Sequence, residues 1–254
     1  MVDPGLQEAI RAVGGVTELA RRIGISQPSV SNWSKIPAER VLAVEAASGI
    51  GRATLRPDLY AEDIVDEVDR ARANEYALLA RLLTRAPDPD LLERLAGLRG
   101  DATPLGVARV ELAQAAKDAD PGKTEREYFD LFVGIGRGEL LPYGSYYLTG
   151  FLHERPLARL REDLARMGIT RAEGVAEPED HAGILCEIMA GLASGQLPAP
   201  AGSDRIIFEK HMAPWIGRFF ADLERCEAAN LYRRIATVGR LFMDIETEAF
   251  ALPS

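Results

Sequence analysis

Residues 208–250 limit what this chain can fold into more than any other stretch. Met212, Trp215, Phe219 and Leu223 recur at i, i+3, i+7 and i+11, and Leu231, Ile235, Val238, Leu241 and Ile245 form a second stripe of the same kind. Apolar residues with that period share a face only on an α-helix. The two stripes therefore predict an α-hairpin whose inner faces are core. Ile64, Val68, Ala71, Leu78 and Leu82 form an earlier stripe of comparable length. Alternating β-branched runs and Asn-Gly or Asp-Gly hairpin turns are missing throughout, so strand signals are almost absent. The predicted fold class is all-α.

A boundary is expected near "LRPDLYAED" (residues 55–63), where about four or five short, Gly-punctuated helices give way to long ones. The predicted organisation is a small domain over 1–60 and a larger helical one over 61–254. Breaks are expected at 86–90, at 118–123, in a glycine-bearing loop after residue 133, and at the Pro-, Ala- and Gly-rich segment 195–204. There are no internal repeats.

Bulk properties exclude several classes. The 254 residues are 47% hydrophobic and 27% charged, ordinary for a globular protein. No segment approaches the about 18 uninterrupted apolar residues of a membrane span, so no membrane partner is expected. The start "MVDPGLQEAI" has neither a basic nor an apolar stretch, so no secretory signal is expected. Cys186 and Cys226 lie far apart within helical patterns, and a cytoplasmic protein with reduced thiols is the simplest expectation. The net charge of −9 is uneven: residues 1–60 carry seven basic and six acidic residues, the remainder 23 and 33. An acidic body does not suit non-specific nucleic-acid binding, but it attracts a basic peptide.

"GVTELARRIGISQPSVSNW" (residues 15–33) has the pattern of a helix-turn-helix. Thr17 is expected to cap a helix carrying Leu19, Ala20 and Ile23, with Gly24 in the turn. Ser26 is expected to cap a second helix whose inward positions are Val30 and Trp33. Gln27, Ser29, Ser31 and Asn32 then face outward, with Lys35 just beyond. Such side chains reach base edges, and Lys35 and Arg40 suit phosphates. Through "ELARRIGISQPSVSNW", "IPAERVLAVE" and "LRPDLY", residues 5–60 resemble the Cro/YdaS-like helix-turn-helix family. The resemblance implies operator DNA as a partner, and such domains usually bind as dimers, which would make the chain a homodimer.

Three stretches of the larger domain carry its information. In "EREYFDLFVGIGRGELLPYGSYY" (125–147), Tyr128, Leu131 and Phe132 share one helical face before a break at Gly134. The glycines at 134, 136 and 138 do not match a dinucleotide loop or a P-loop, because their spacing is wrong, no strand precedes them and no Lys-Ser/Thr follows. They read as a tight turn. In "EPEDHAGILCEIMAGL" (177–192), Pro178 suits a first helical turn, and Glu179 and Asp180 complement its positive end. Adjacent Asp180 and His181 diverge on a helix, so they make no catalytic dyad. His181 reads as a satisfied, half-buried histidine. His153, His181 and His211 have no ligand-spaced partner and there is no Cys-x-x-Cys, so no metal is expected. No nucleophile stands out, and neither catalytic residues nor a cofactor are expected. The third stretch is the hairpin, with Met212 and Trp215 as core.

Together "EYFDLF" with its glycines and "PYGSYY", "EPEDH…EIM", and "HMAPW" with "LYRRIA" resemble the TorD/DmsD family of redox-enzyme maturation chaperones over about residues 70–250. Ile135 stands where that family usually has proline, and Cys186 where leucine is common. The resemblance implies an all-helical chaperone, not an enzyme. Its partner would be the twin-arginine signal peptide on the apo form of a molybdenum-cofactor oxidoreductase, such as formate dehydrogenase or a dimethyl-sulfoxide or trimethylamine-oxide reductase. Peptide-binding residues carried over from the family are Tyr128, Leu131, Phe132, Pro178, Asp180 and His181. The chemistry of the ligand adds Glu177 and Glu179 beside Asp180 for the guanidinium groups, and Tyr143 for apolar contact. Gly136 and Pro142 would shape the groove. A reading from another class is a helix-turn-helix transcription regulator whose helical body senses or dimerises.

Overall fold

The computed structural model describes residues 3–60, 67–171 and 177–252. No strand occurs among the described residues; one isolated antiparallel bridge pairs Tyr143 with His181. The chain divides into two compact units, Met1–Asp66 and Glu67–Ser254.

The first unit holds α1 (Pro4–Val13), α2 (Val16–Arg22), α3 (Gln27–Ser31), a 3-10 turn at Ala38–Arg40, α4 (Val41–Ser48), α5 (Arg52–Leu55) and α6 (Pro57–Tyr60). Five short α-helices and one 3-10 turn thus lead up to the 55–63 boundary, as expected, and α6 lies within it. Asp3 caps α1 through the amides of Gly5 and Leu6. Gly14, at φ 90°, ends it. The chain turns at once into α2, which begins at Val16 with Gly15 as its N-cap. Thr17 is therefore inside the first turn and is not the cap. Ser26 does cap α3, accepting from the Ser29 amide at 3.4 Å. Leu6, Ala9, Leu19, Ala20, Val30, Ile36, Val41, Val44 and Leu55 form this unit's core.

The second unit is built on α7 (Glu67–Thr84), α8 (Pro89–Ala96), α9 (Pro104–Lys117), α10 (Pro121–Tyr128), α11 (Gly144–Thr149), α12 (Arg155–Arg166), α13 (Ala182–Ala193), α14 (Ser203–Ile207), α15 (Ile216–Arg225) and α16 (Leu231–Ala251). Wide π-turns extend α10 over Phe129–Val133 and α14 over Phe208–Met212. Helix α7 packs along α13, and α16 against α15 and α9. Small residues allow the close crossings: a Cβ on Gly239 would sit 2.3 Å from the Phe220 ring. Trp215, Tyr76, Tyr232, Phe208, Phe219 and Phe220 are the largest buried side chains.

The stripe from Met212 to Leu223 is core at every expected position. Two other expectations need correcting. In α16, Ile245 is exposed, and its neighbour Glu246 takes the inward place at 1% exposure. The reason is a buried polar cluster: Glu246 accepts from Arg72 Nε at 2.8 Å and from the Tyr76 hydroxyl at 2.8 Å. In α7, Val68 and Ala71 are exposed, whereas Tyr76, Leu79, Leu82 and Leu83 are buried. Helix α7 contacts both α13 and α16, so its buried face is broader than one stripe. Ile64 lies outside the described residues.

Candidate functional site

Backbone pairing between two remote segments builds the site. After the π-turn, Gly134 turns the chain at φ 62°, and any Cβ there would lie 2.1 Å from the Arg137 carbonyl oxygen. The loop then returns along the helix end, with the Leu140 amide on the Leu131 carbonyl at 2.9 Å. A Cβ on Gly138 would meet the Phe132 backbone at 2.5 Å. These two glycines are required by close backbone approach. Gly136, at φ 90°, is exposed at the tip of the turn.

The loop delivers Pro142 and Tyr143 to the segment before α13. The Ala182 amide donates to the Pro142 carbonyl at 2.7 Å, and the Gly144 amide to the Asp180 carbonyl at 2.9 Å. Because these groups are committed across the pair, α13 cannot start at Pro178. It starts at Ala182, with His181 as N-cap accepting the Gly183 amide on Nδ1 at 3.0 Å. Pro178 sits in the preceding turn, its carbonyl accepting from the His181 amide at 3.1 Å. Pro178 and Glu179 thus precede the helix and do not form its first turn. A Cβ on Gly144 would lie 3.0 Å from Trp215 Nε1, which itself donates to the His211 carbonyl at 2.7 Å.

Asp180 is 3% exposed. Its Oδ2 accepts the Ser145 amide at 2.8 Å. Its Oδ1 and the Ser145 Oγ are buried without a hydrogen-bond partner among the described residues, a costly arrangement for a carboxylate. Asp180 lines a cleft of about 450 Å³ together with Gly144, Leu148, Leu160, Asp163 and His211. Asp163, in the same cleft, is fully engaged. It binds His211 Nε2 at 2.9 Å, Arg166 Nη1 at 2.6 Å and Lys210 Nζ at 3.6 Å. The His211 hydrogen bond leads in holding its carboxyl below the usual carboxylate range.

His181 is buried, not half-buried. Its ring meets the Tyr143 ring edge-to-face, centroids 5.1 Å apart. Burial lowers the imidazole from 6.5 to about 4, against the pull of Glu177 and Asp180. The ring is neutral at pH 7, as its capping role requires, because only an unprotonated Nδ1 accepts from Gly183. The unfolded chain takes up this proton first as pH falls, so stability from this group is whole above 6.5 and is lost between 6.5 and 4. The loss is on the order of 3 kcal/mol. His181→Asn keeps a capping acceptor and cannot protonate. Its denaturation midpoint is expected to vary much less with pH across this window. An unchanged pH slope in that variant would remove His181 from the account.

The structure gathers most of the expected peptide-binding residues. The Tyr143 hydroxyl donates to Glu177 Oε2 at 2.6 Å. The half-buried Tyr128 phenol is pushed up to about 12, chiefly by burial and further by Glu177. Tyr128 and Phe132 pack on each other and on Tyr232, with centroids 5.3–6.0 Å apart. Two residues need correcting. Leu131 is fully buried in the core, so it supports the groove and does not line it. The apolar residues left outside by the π-turn are Phe129 and Val133, with Asp130 between them also exposed. Glu179 is already paired with Arg161 at 2.8 Å, so it is not free for an arriving guanidinium. Ser145 and the Asp163–His211 pair escaped the sequence reading, since neither has a local signature.

In the first unit, Gln27, Ser29, Ser31, Asn32 and Lys35 are all exposed. Gln27 Nε2 donates to Ser31 Oγ at 2.7 Å, and Lys35 pairs with Asp58 at 3.1 Å. Among the described residues no cluster of three or more His, Cys, Asp or Glu suits a metal ion, and no described helix is long and apolar enough to cross a membrane.

Residues 99–221 match the family model described as nitrate reductase delta subunit, and residues 6–64 the one described as bacterial toxin YdaS. The chaperone protein TorD of Vibrio cholerae (strain O395) is 28% identical over 145 residues, covering 53% of this chain and 66% of that one, just under two thirds. YdaS of Escherichia coli K12 is 41% identical over 59 residues, 21% of this chain and 60% of that protein. A solved structure from Archaeoglobus fulgidus, titled as a redox enzyme maturation protein, is 22% identical and covers 68% of this chain and 93% of its own, with a TM-score of 0.46. The 99–221 match contains the first two motif stretches and the start of the third. Both resemblances read from the motifs therefore hold: the chain joins a YdaS-like segment at 6–64 to a TorD-like one whose family match runs over 99–221.

Proposed function

We propose that this chain is a maturation chaperone that binds the twin-arginine signal peptide of a molybdenum-cofactor oxidoreductase, in the cytoplasm and before export. The observation that carries the reading is Asp180: a buried carboxylate with one oxygen unpartnered, at the wall of an open cleft. A guanidinium supplies the missing donors in a planar fork. Asp163 and Glu179 are already paired, which leaves Asp180, with the exposed Glu177 beside it, as the acceptors. Tyr143, hydrogen-bonded to Glu177, and the half-buried Tyr128 and Phe132 supply aromatic surface, and the acidic balance of residues 61–254 speeds capture of a basic peptide. In this reading the exposed face of α3 is the DNA-contacting part, through which client occupancy reaches an operator.

Titration of the full chain with a labelled twin-arginine peptide tests the proposal. The expected affinity is about micromolar or tighter, with clear loss when the two arginines are replaced by lysines. Equal binding of both peptides, or binding of neither, defeats it.

A further inference from the structure

Three exposed apolar residues, close together in the chain, begin at the wall of the cleft. Leu148 is 43% exposed, Phe151 69% and Leu152 39%. They lie at the end of α11 and in the turn that follows, and Leu148 is also a wall of the Asp180 cleft. The turn is held in place. Thr149 Oγ1 donates to the Ser145 carbonyl at 2.8 Å and accepts the Phe151 amide at 3.2 Å. Gly150 ends the helix at φ 84°, and His153 sits at φ 61°, the one non-glycine residue with positive φ among those described. A non-glycine residue in that region stores strain that must be offset elsewhere. Three apolar side chains held out to water on one braced turn make a candidate binding surface.

We infer that Leu148, Phe151 and Leu152 form the shelf on which the apolar stretch after the arginine pair lies; the inference rests on the function proposed above. The argument is one of continuity and complementarity. Ser145, which anchors Thr149, also donates its amide to Asp180, so the shelf and the unpartnered Asp180 Oδ1 are positioned by one residue. Leu148 belongs to both surfaces. A ligand that is cationic at one end and apolar beyond it satisfies the carboxylate and covers the shelf together. A purely apolar ligand leaves Asp180 unpaired, and a purely cationic one leaves Phe151 in water.

The test uses the full chain, a twin-arginine peptide with its natural-type Leu/Ala stretch, and an equal-length peptide with that stretch replaced by Ser and Gly. Wild type is expected to bind the first about tenfold more tightly than the second. The double variant Phe151→Ser, Leu152→Ser, exposed at both positions, is expected to lose that preference and to bind the second peptide as wild type does. If wild type discriminates arginine from lysine and the variant binds the apolar peptide unchanged, the chaperone reading survives and the shelf does not. If wild type ignores the arginines, both fall. Sedimentation of the same proteins covers a different occupant. A wild-type dimer that the variant dissociates, with peptide affinity unchanged, assigns the surface to a second copy and overturns the inference.

Discussion

Arg72→Met is expected to destabilise the larger unit by about 3–5 kcal/mol, the cost of leaving one partner of a buried ion pair uncompensated. Glu246 is 1% exposed and takes three hydrogen bonds from Arg72, at 2.8 and 3.2 Å from Nε and at 2.9 Å from Nη2. Without the guanidinium its charge retains, among the described residues, the Tyr76 hydroxyl. Arg72 also lies over the Phe250 ring, 5.0 Å from its centroid, and methionine preserves part of that apolar contact. The double variant Arg72→Met, Glu246→Leu removes the stranded charge, so most of the loss should return. About 1 kcal/mol should remain for the Tyr76 hydroxyl, which then lacks its acceptor. Urea unfolding followed by Trp215 fluorescence in a Trp33→Phe background reads this unit alone. A single variant within about 1 kcal/mol of wild type would mean that water reaches Glu246 and that the cluster is not the anchor between α7 and α16.

That cluster also shows where the sequence stopped being legible. Every position of the expected stripe, Met212, Trp215, Phe219 and Leu223, is core, although Ile216 and Phe220 beside it are buried as well. Apolar spacing misplaced Ile245 and Val68, because a helix packed on two sides has a broad buried face, and because Glu246 enters the core only with an arginine 174 positions away. Leu131 failed for another reason. The face shared by Tyr128, Leu131 and Phe132 is turned toward Tyr232 and the core, so a shared face did not mean a surface that a ligand reaches. The start of α13 was misjudged because Pro178 is a fair local signal for a helix start. The amide of Ala182, however, is spent on Pro142, a pairing between segments remote in sequence. The motifs themselves were legible: Ser26 capping α3, the Gly134 turn, and the two family resemblances depend on local sequence. What brings Tyr143, Asp180 and His181 together does not.

Asp180→Asn should separate stability from binding, because the residue's two oxygens do different work. Oδ2 accepts the Ser145 amide and holds α11 to the start of α13. Oδ1 has no partner. Asparagine keeps an acceptor for Ser145 at nearly the same volume and removes a buried charge with an unmet oxygen. Stability is therefore expected to stay level or rise by up to about 1 kcal/mol. Asp180→Ala removes the acceptor too and should cost about 1–3 kcal/mol. Binding should follow the charge instead: loss of a charge-assisted guanidinium contact weakens the twin-arginine peptide by about 10–100-fold in both variants. A merely structural Asp180 predicts the reverse pattern, with affinity kept in the asparagine variant. In that event the exposed Glu177, hydrogen-bonded to Tyr143 through Oε2, is the remaining carboxylate at the site. Glu177→Gln should then carry the loss that Asp180→Asn does not.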